Sequence, residues 1–365
     1  MKFRKILSFL LIAVPMAAVF LIAFSNQELS DAFSALRGMD ARYLAGMVLC
    51  WFCYVFFDAL GGWIYLRSQG FPLSLGRALL ANFIGLYYSN ITPSAAGGQP
   101  MQVNSLRKAG IPVAYGTMMA TVRFISNQFM VSLISLALWI ANRDFVARQL
   151  GGAVWIARVG WIINAAVIPV VLLAAFKKSW ILSLAGALLR LLEKLRLVRN
   201  REAAYAGVQE IMDTYHTALR ELLHHGGQIV LQFLLGALSL LAMMCVPLFV
   251  YRALGQSGVP PLQLLTLSYL VFVSASYTPR PGASGAQEGG FLLYFQGIFT
   301  GGTIGLALLI WRFFTYYLFL LVGCGIALLE RVLLRRKKGA ASGGKYETKA
   351  GISSHETSDN RRPGV

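Results

Sequence analysis

Charge is what this chain has least of. Only 13% of its residues are Asp, Glu, Lys or Arg, and 33 bases outnumber 15 acids. Soluble domains carry about 25% charged residues, so a soluble enzyme or carrier is excluded. Cysteine and histidine are scarce as well. Cys50, Cys53, Cys245 and Cys324 all lie in apolar runs, and no histidine stands at metal-ligand spacing from them. That excludes a disulfide framework or a structural zinc site, and Cys50-x-x-Cys53 reads as packed or lipid-facing side chains. Paired carboxylates are missing too. Glu28, Asp31 and Asp40, between the first two apolar runs, are the candidate acids and lack paired spacing, which gives intramembrane acid–base or metal-assisted chemistry little to work with.

What is present is apolar length. The chain is 57% hydrophobic and carries several runs of about 20 residues, enough to cross a hydrocarbon core roughly 30 Å thick. The net charge of +18 does not indicate nucleic acid, because the bases cluster beside apolar runs, as the positive-inside rule and anionic leaflets require. Lys2, Arg4 and Lys5 precede an apolar run at 6–24, which is longer than the roughly 7–15 residues of a signal-peptide core and reads as an uncleaved first helix.

Further spans are expected near 43–66, 113–140, 154–176, 227–250 and 304–331, making six full crossings. Between them lie two pairs of short apolar segments, 78–91 with 98–109 and 262–277 with 286–299. Neither arm of a pair is long enough to cross, so each pair is expected to enter partway, break and return. Six crossings plus two such hairpins place Arg67, Arg77, Arg107, Lys108, Lys177, Lys178 and the basic run from Arg331 to Lys338 on the cytoplasmic side, with both termini. The hairpins then enter from opposite faces, as inverted repeats do. The fold class expected is thus all-α: a polytopic membrane protein of six spanning helices and two broken re-entrant hairpins.

Each short pair surrounds an unusual sequence. Thr92-Pro93-Ser94-Ala95-Ala96-Gly97-Gly98-Gln99 has a counterpart in Thr278-Pro279-Arg280-Pro281-Gly282-Ala283-Ser284-Gly285-Ala286-Gln287-Glu288. Proline and glycine free backbone groups that must be satisfied by protein or cavity water at bilayer depth, and matched breaks in two halves point to a transport site. Arg123 and Arg312 follow Pro93 and Pro279 by 30 and 33 residues inside apolar helices. An intramembrane guanidinium faces a cavity or an acid, and its planar fork suits phosphate. For Arg123 the alternatives are a ligand or an ion pair with Asp58 or Glu288; for Arg312, a ligand or snorkelling to the interface. Glu288 is placed to cap the returning arm, to pair with an arginine or to meet a cationic headgroup. Asp58, the only acid in the interior of a full crossing, is a candidate for proton coupling or a static salt bridge.

These residues resemble the flippase-like membrane domain family, the transmembrane region of lysylphosphatidylglycerol synthetases and of stand-alone relatives. The match rests on Thr92-Pro93 through Gly97-Gly98-Gln99-Pro100 with Arg107 and Arg123, and on Pro281-Gly282-x-x-Gly285-x-x-Glu288 with Arg312. Ala283 replaces one glycine of the family's second motif, and Gln99 stands where the family often has Glu. The resemblance covers roughly residues 5 to 335 and implies a lipid-translocating module, here taken as 1–338. The spacing of leucines among basic residues gives it an amphipathic cytoplasmic connector at 179–225, and the Gly-, Ser-, Lys- and Glu-rich composition makes 339–365 a disordered cytoplasmic tail. The connector either lies on the membrane surface or is a solvated linker. A synthetase would carry a further aminoacyl-transfer domain, so a non-enzymatic role is expected, with no metal or cofactor.

The expected substrate-binding set is Thr92, Pro93, Gly97, Gly98, Gln99, Arg107, Arg123, Thr278, Pro279, Arg280, Gly282, Gly285, Glu288 and Arg312, with Asp58 as a coupling residue. The expected function is a flippase or transporter of the cytoplasmic membrane that moves a phosphate-bearing, in some forms aminoacylated, lipid between leaflets. Its partners are then the membrane and a phospholipid or other lipid-linked substrate, not nucleic acid. The alternatives are a polyprenyl-phosphate glycosyltransferase-like enzyme and a non-transporting scaffold or sensor.

Overall fold

The computed structural model describes residues 37–194, 201–224, 226–300 and 302–326. The expected first span at 6–24, the end of the last span and the tail at 339–365 lie outside the described residues. Within them the chain is helical and contains no strand.

Helix α1 (Ala41–Ser68) starts where Asp40 accepts a hydrogen bond from the Arg42 backbone N–H at 2.9 Å, which satisfies one of the first-turn donors. The Arg42 guanidinium beside it holds the Asp40 carboxyl below its usual range. A short pair follows, α2 (Leu75–Ile91) and α3 (Gly98–Lys108), with a tight 3-10 turn at Pro93–Ala95 between them, and then the long helix α4 (Val113–Ala141). The stretch between the expected spans 113–140 and 154–176 is largely helical: α5 (Arg143–Leu150) leads through a short turn into α6 (Val154–Phe176).

After α7 (Lys178–Lys194) and α8 (Arg201–His224) the first pattern returns. Helices α9 (Gly226–Met244) and α10 (Val246–Ala253) form one bent rod, interrupted at Cys245, just before Pro247, whose missing N–H explains the interruption. Helix α11 (Pro261–Ala275), a tight turn at Pro281–Ala283 and α12 (Ala286–Tyr294) make the second short pair. The last rod begins as α13 (Ile304–Arg312) and continues to Ile326 through a π-turn at Phe313–Tyr317. Both halves therefore read long helix, short helix, break, short helix, long helix.

Five helices are long and apolar enough to cross a membrane: Ala41–Ser68, Val113–Ala141, Arg143–Leu173, Gly226–Ala253 and Ile304–Ile326. They correspond to five of the six expected spans. Leu49, Phe52, Trp155, Ile162 and Val170 point outward and are exposed, an arrangement stable against lipid and not against water. The protein is a multi-pass membrane protein.

Without a hydrophobic force between helices in lipid, close approach does the packing, and small residues permit it. A Cβ on Gly160 of α6 would lie 2.6 Å from Ser274 Cα and 2.8 Å from the Val273 carbonyl oxygen. Helices α6 and α11 thus touch backbone to backbone. Buried amides lock the same joint: Gln128 Nε2 donates to Asn164 Oδ1 at 2.8 Å, and Asn164 Nδ2 donates to the Val273 carbonyl at 2.9 Å.

The connector takes a third course besides the two expected of it. Met212 of α8 is buried in a cluster with Tyr65, Leu66, Leu106 and Met118, and Ile181, Leu182 and Val208 pack on its edge. Protein, rather than water or lipid alone, covers part of its apolar stripe, while Trp180, Leu184 and Leu188 on α7 stay exposed. Lys178 pairs with Asp213 across the two helices. Burial, reinforced by Lys178 and Arg220 and opposed by Asp213, pushes the His216 imidazole below its ordinary 6.5. A lowered histidine pKa means that the unfolded chain binds the proton more readily, so the contribution is full above 6.5 and is lost as pH falls through the folded value. Protease accessibility of the connector is expected to rise below pH 6.5, and His216→Gln to flatten that rise; an unchanged pH profile in the variant would remove His216 as the cause.

Candidate functional site

The two breaks share one backbone shape. Pro93-Ser94-Ala95 has Ser94 at φ 51°, ψ 26°, and Pro281-Gly282-Ala283 has Gly282 at φ 58°, ψ 20°. Ala95 and Ala283 follow at φ 56° and 50°. This left-handed region is costly for anything but glycine, so its occurrence at the same step of both turns is structural and not incidental. The correspondence corrects the sequence register: Pro93 matches Pro281 rather than Pro279, Gly97 matches Gly285 and Gln99 matches Gln287. Pro279 is two residues early because Thr-Pro recurs in both halves while the dihedral pattern begins at the second proline.

In the first break, Thr92 Oγ1 donates to the Tyr88 carbonyl at 2.6 Å and accepts from the Gly97 N–H at 2.9 Å, which closes the loop. Gly98 lets α3 lie against α2: a Cβ there would stand 1.8 Å from Ser89 Oγ and 2.9 Å from the Gly85 carbonyl. Thr92, Gly97 and Gly98 are thereby architectural in this structure. In the second break, Glu288 Oε2 accepts from the Gly285 N–H at 2.6 Å, capping α12, and Oε1 lies 2.7 Å from Arg312 Nε. That N–H is not aimed at the oxygen, since neither atom has an aligned hydrogen bond; the contact is ionic. The side chains are only 4% and 3% exposed. Arg312 also donates to the Gly282 carbonyl at 3.1 Å and to Ser284 Oγ at 3.4 Å, and stacks 4.7 Å from the Tyr316 ring centre. Capping and pairing, expected as alternatives for Glu288, are both present, and Arg312 points inward rather than snorkelling.

Arg123 is held differently. Its guanidinium reaches Asp58 at 3.2 Å and Gln102 Oε1 at 2.9 Å, and donates to Asn82 Oδ1. Gln102 in turn donates to Asn82 at 3.3 Å. Asp58 is on α1, Asn82 on α2, Gln102 on α3 and Arg123 on α4, so one cation ties together the whole first half. Gln102 escaped the sequence reading; its one signal was a polar residue a turn after Gly98 on the face toward α2.

The two turns touch each other, and a cavity of about 320 Å³ lies where they meet. Ser94 and Ala95 from the first turn line it, as do Thr278, Arg280, Gly282, Ala283 and Gln287 from the second segment; Arg312, Trp311, Thr315 and Phe319 come from the last rod, and Tyr54 from α1. Of the expected binding residues, Thr278, Arg280, Gly282 and Arg312 are at the cavity. Arg123 and Asp58 are not among its lining residues, so of the two arginines that follow the breaks only Arg312 reaches it. Arg107 sits exposed in the last turn of α3, bonded to Asn104 at 3.0 Å, and Gln99 is exposed, whereas its counterpart Gln287 is buried at the cavity. Ser94 and Gln287 are among the lining polar residues outside the expected set, together with Ser89, Asn90, Ser268, Ser276 and Thr315. Of the acids considered for enzymatic chemistry, Asp40 is engaged as a helix cap, and Glu28 and Asp31 lie outside the described residues.

No curated protein matches the chain by sequence. A family model does: the lysylphosphatidylglycerol synthase TM region aligns with residues 5–323 of the 365. That match spans both long–short–break–short–long halves, their facing turns and the arginines Arg123 and Arg312, and the chain belongs to the lysylphosphatidylglycerol synthase transmembrane-region family.

Proposed function

We propose that this protein is a lipid flippase or transporter of the cytoplasmic membrane, not an enzyme, and that it carries a phosphate-bearing headgroup through the chamber between the two breaks. The observation that carries the reading is the meeting of two turns of the same backbone shape, one from each half, at a cavity lined by both. In this reading each short pair is a re-entrant hairpin, six spans complete the fold, and both termini are cytoplasmic. The hairpins enter from opposite faces, so rocking one half against the other opens the chamber to each leaflet in turn. The Arg123 cage stiffens the first half, and the Arg312–Glu288 pair stiffens the second.

The test is leaflet-to-leaflet movement of labelled phospholipid in proteoliposomes. Wild-type protein accelerates it, and joining Ser94→Cys to Ala283→Cys with a cleavable bis-maleimide, in a background without the native cysteines, stops it until the linker is cut. Movement at the protein-free rate, or movement indifferent to the linker, rejects the reading.

A further inference from the structure

We propose that the cavity selects a lipid headgroup of net negative charge, a phosphate ester without an ammonium group, with Arg280 as the phosphate ligand and Gln287 as the reader of the ester's hydroxyl. The proposal rests on the transport reading above and names its substrate class.

Charge at the cavity is one-sided. Arg280 and Arg312 are its charged lining residues. Arg312 is neutralised by Glu288 at 2.7 Å. Arg280 has no acid within ion-pair distance among the described residues, and its Nη1 lies 3.3 Å from where a Gly285 Cβ would stand, so it leans over the second break. The cavity thus presents one uncompensated guanidinium, whose fork matches two phosphate oxygens. Gln287 is only 8% exposed, lines the same cavity and has no hydrogen-bond partner among the described residues. With no protein group bonded to it, its amide stays open to the cavity, where a ligand hydroxyl can both donate to and accept from it. Ser94 and Thr278 add hydroxyls from the two sides of the same space.

A volume of about 320 Å³ falls at the small end of the roughly 300–1,000 Å³ of small-molecule sites. It accommodates a headgroup, while Leu86, Phe272 and Phe319 give the remaining wall an apolar surface for the chain that follows. An amine-bearing headgroup, whether choline or a lysyl ester, would set a cation against Arg280 with no free carboxylate to receive it.

The experiment titrates the full chain in detergent with short-chain phosphatidylglycerol, phosphatidylcholine and lysyl-phosphatidylglycerol, reading Trp311 fluorescence against a Trp311→Phe blank and heat by calorimetry. The phosphatidylglycerol is expected to bind about 10–100-fold tighter than the other two, the range that one charge-assisted contact supplies. Arg280→Gln abolishes that preference and Arg280→Lys keeps part of it. Gln287→Leu weakens phosphatidylglycerol but not phosphatidic acid, which lacks the hydroxyl. Arg190→Gln on α7 leaves every titration unchanged. Equal binding of all three lipids, or a preference that survives Arg280→Gln, overturns the site, and glycerol phosphate binding as tightly as the lipid overturns its assignment to lipids. The two readings fail separately. Selective binding without movement in vesicles removes transport and leaves the site, whereas movement that ignores headgroup charge and the Arg280→Gln change removes the site and leaves transport.

Discussion

Arg312→Met is expected to cost about 3–5 kcal/mol of stability, because it strands a carboxylate in the interior. Glu288 is 3% exposed on its side chain and has Arg312 as its cation, and the loss of that cation leaves Oε1 with nothing. Glu288→Gln strands the guanidinium in the same way, although the amide oxygen can still accept from the Gly285 N–H and keep the cap. The double variant Glu288→Gln with Arg312→Met is expected to lose much less than the sum, since it buries no unpaired charge. Thermal unfolding of the purified protein in detergent measures all three. Additive losses, or single losses below about 1 kcal/mol, would show that the pair is wetter and weaker than its burial implies.

Arg123→Met provides the contrast. Its side chain is 17% exposed, and its partners include two amides that already bond each other at 3.3 Å. Asn82 and Gln102 can close over the gap, so Asp58 alone is left short of a partner, and the cost should be smaller than for Arg312.

The second large effect is on movement rather than folding. Gly282→Ala is expected to slow lipid movement roughly tenfold or more, the equivalent of about 1.4 kcal/mol, while most of the fold survives. The dihedral alone is tolerable, since Ala95 and Ala283 already occupy the same left-handed region. The obstacle is space: a Cβ on Gly282 would stand 2.2 Å from the Tyr316 ring. That ring stacks on Arg312 and its hydroxyl reaches the Asn90 carbonyl of the first half at 3.4 Å. Displacing it disturbs the Arg312 clamp and the contact between halves at once. Ser94→Gly is the matched control. It relieves about 1–2 kcal/mol of left-handed strain against roughly 0.5–1 kcal/mol of added chain entropy, so it should leave stability near wild type. Wild-type rates in Gly282→Ala vesicles would remove the Tyr316 ring from the transport path.

Much of the architecture was legible because lipid imposes simple rules. An apolar run either spans or does not, so the spans at 43–66, 113–140, 154–176 and 227–250 appear as helices with boundaries shifted by a few residues, and the one at 304–331 as a helix throughout its described part. The short pairs were legible for the converse reason: Pro and Gly interrupt runs too short to cross, and the structure breaks at both. Pairing was not legible. Composition could offer Arg123 an acid at Asp58 or at Glu288, and only the packing of α1 against α4 selects Asp58.

The sequence by itself determined the helical membrane class, the two interruptions and the duplicated arginines, because hydropathy, helix breaking and the cost of a buried cation act locally and need no partner. Tertiary structure alone decided that Pro93 answers to Pro281, that Arg123 is consumed within its own half, and that Arg280 is left beside the cavity with its charge uncompensated. Those outcomes depend on which helix faces which, and that is set by backbone-close contacts such as Gly160 on Ser274 and Gly98 on Gly85, which no stretch of a single helix encodes.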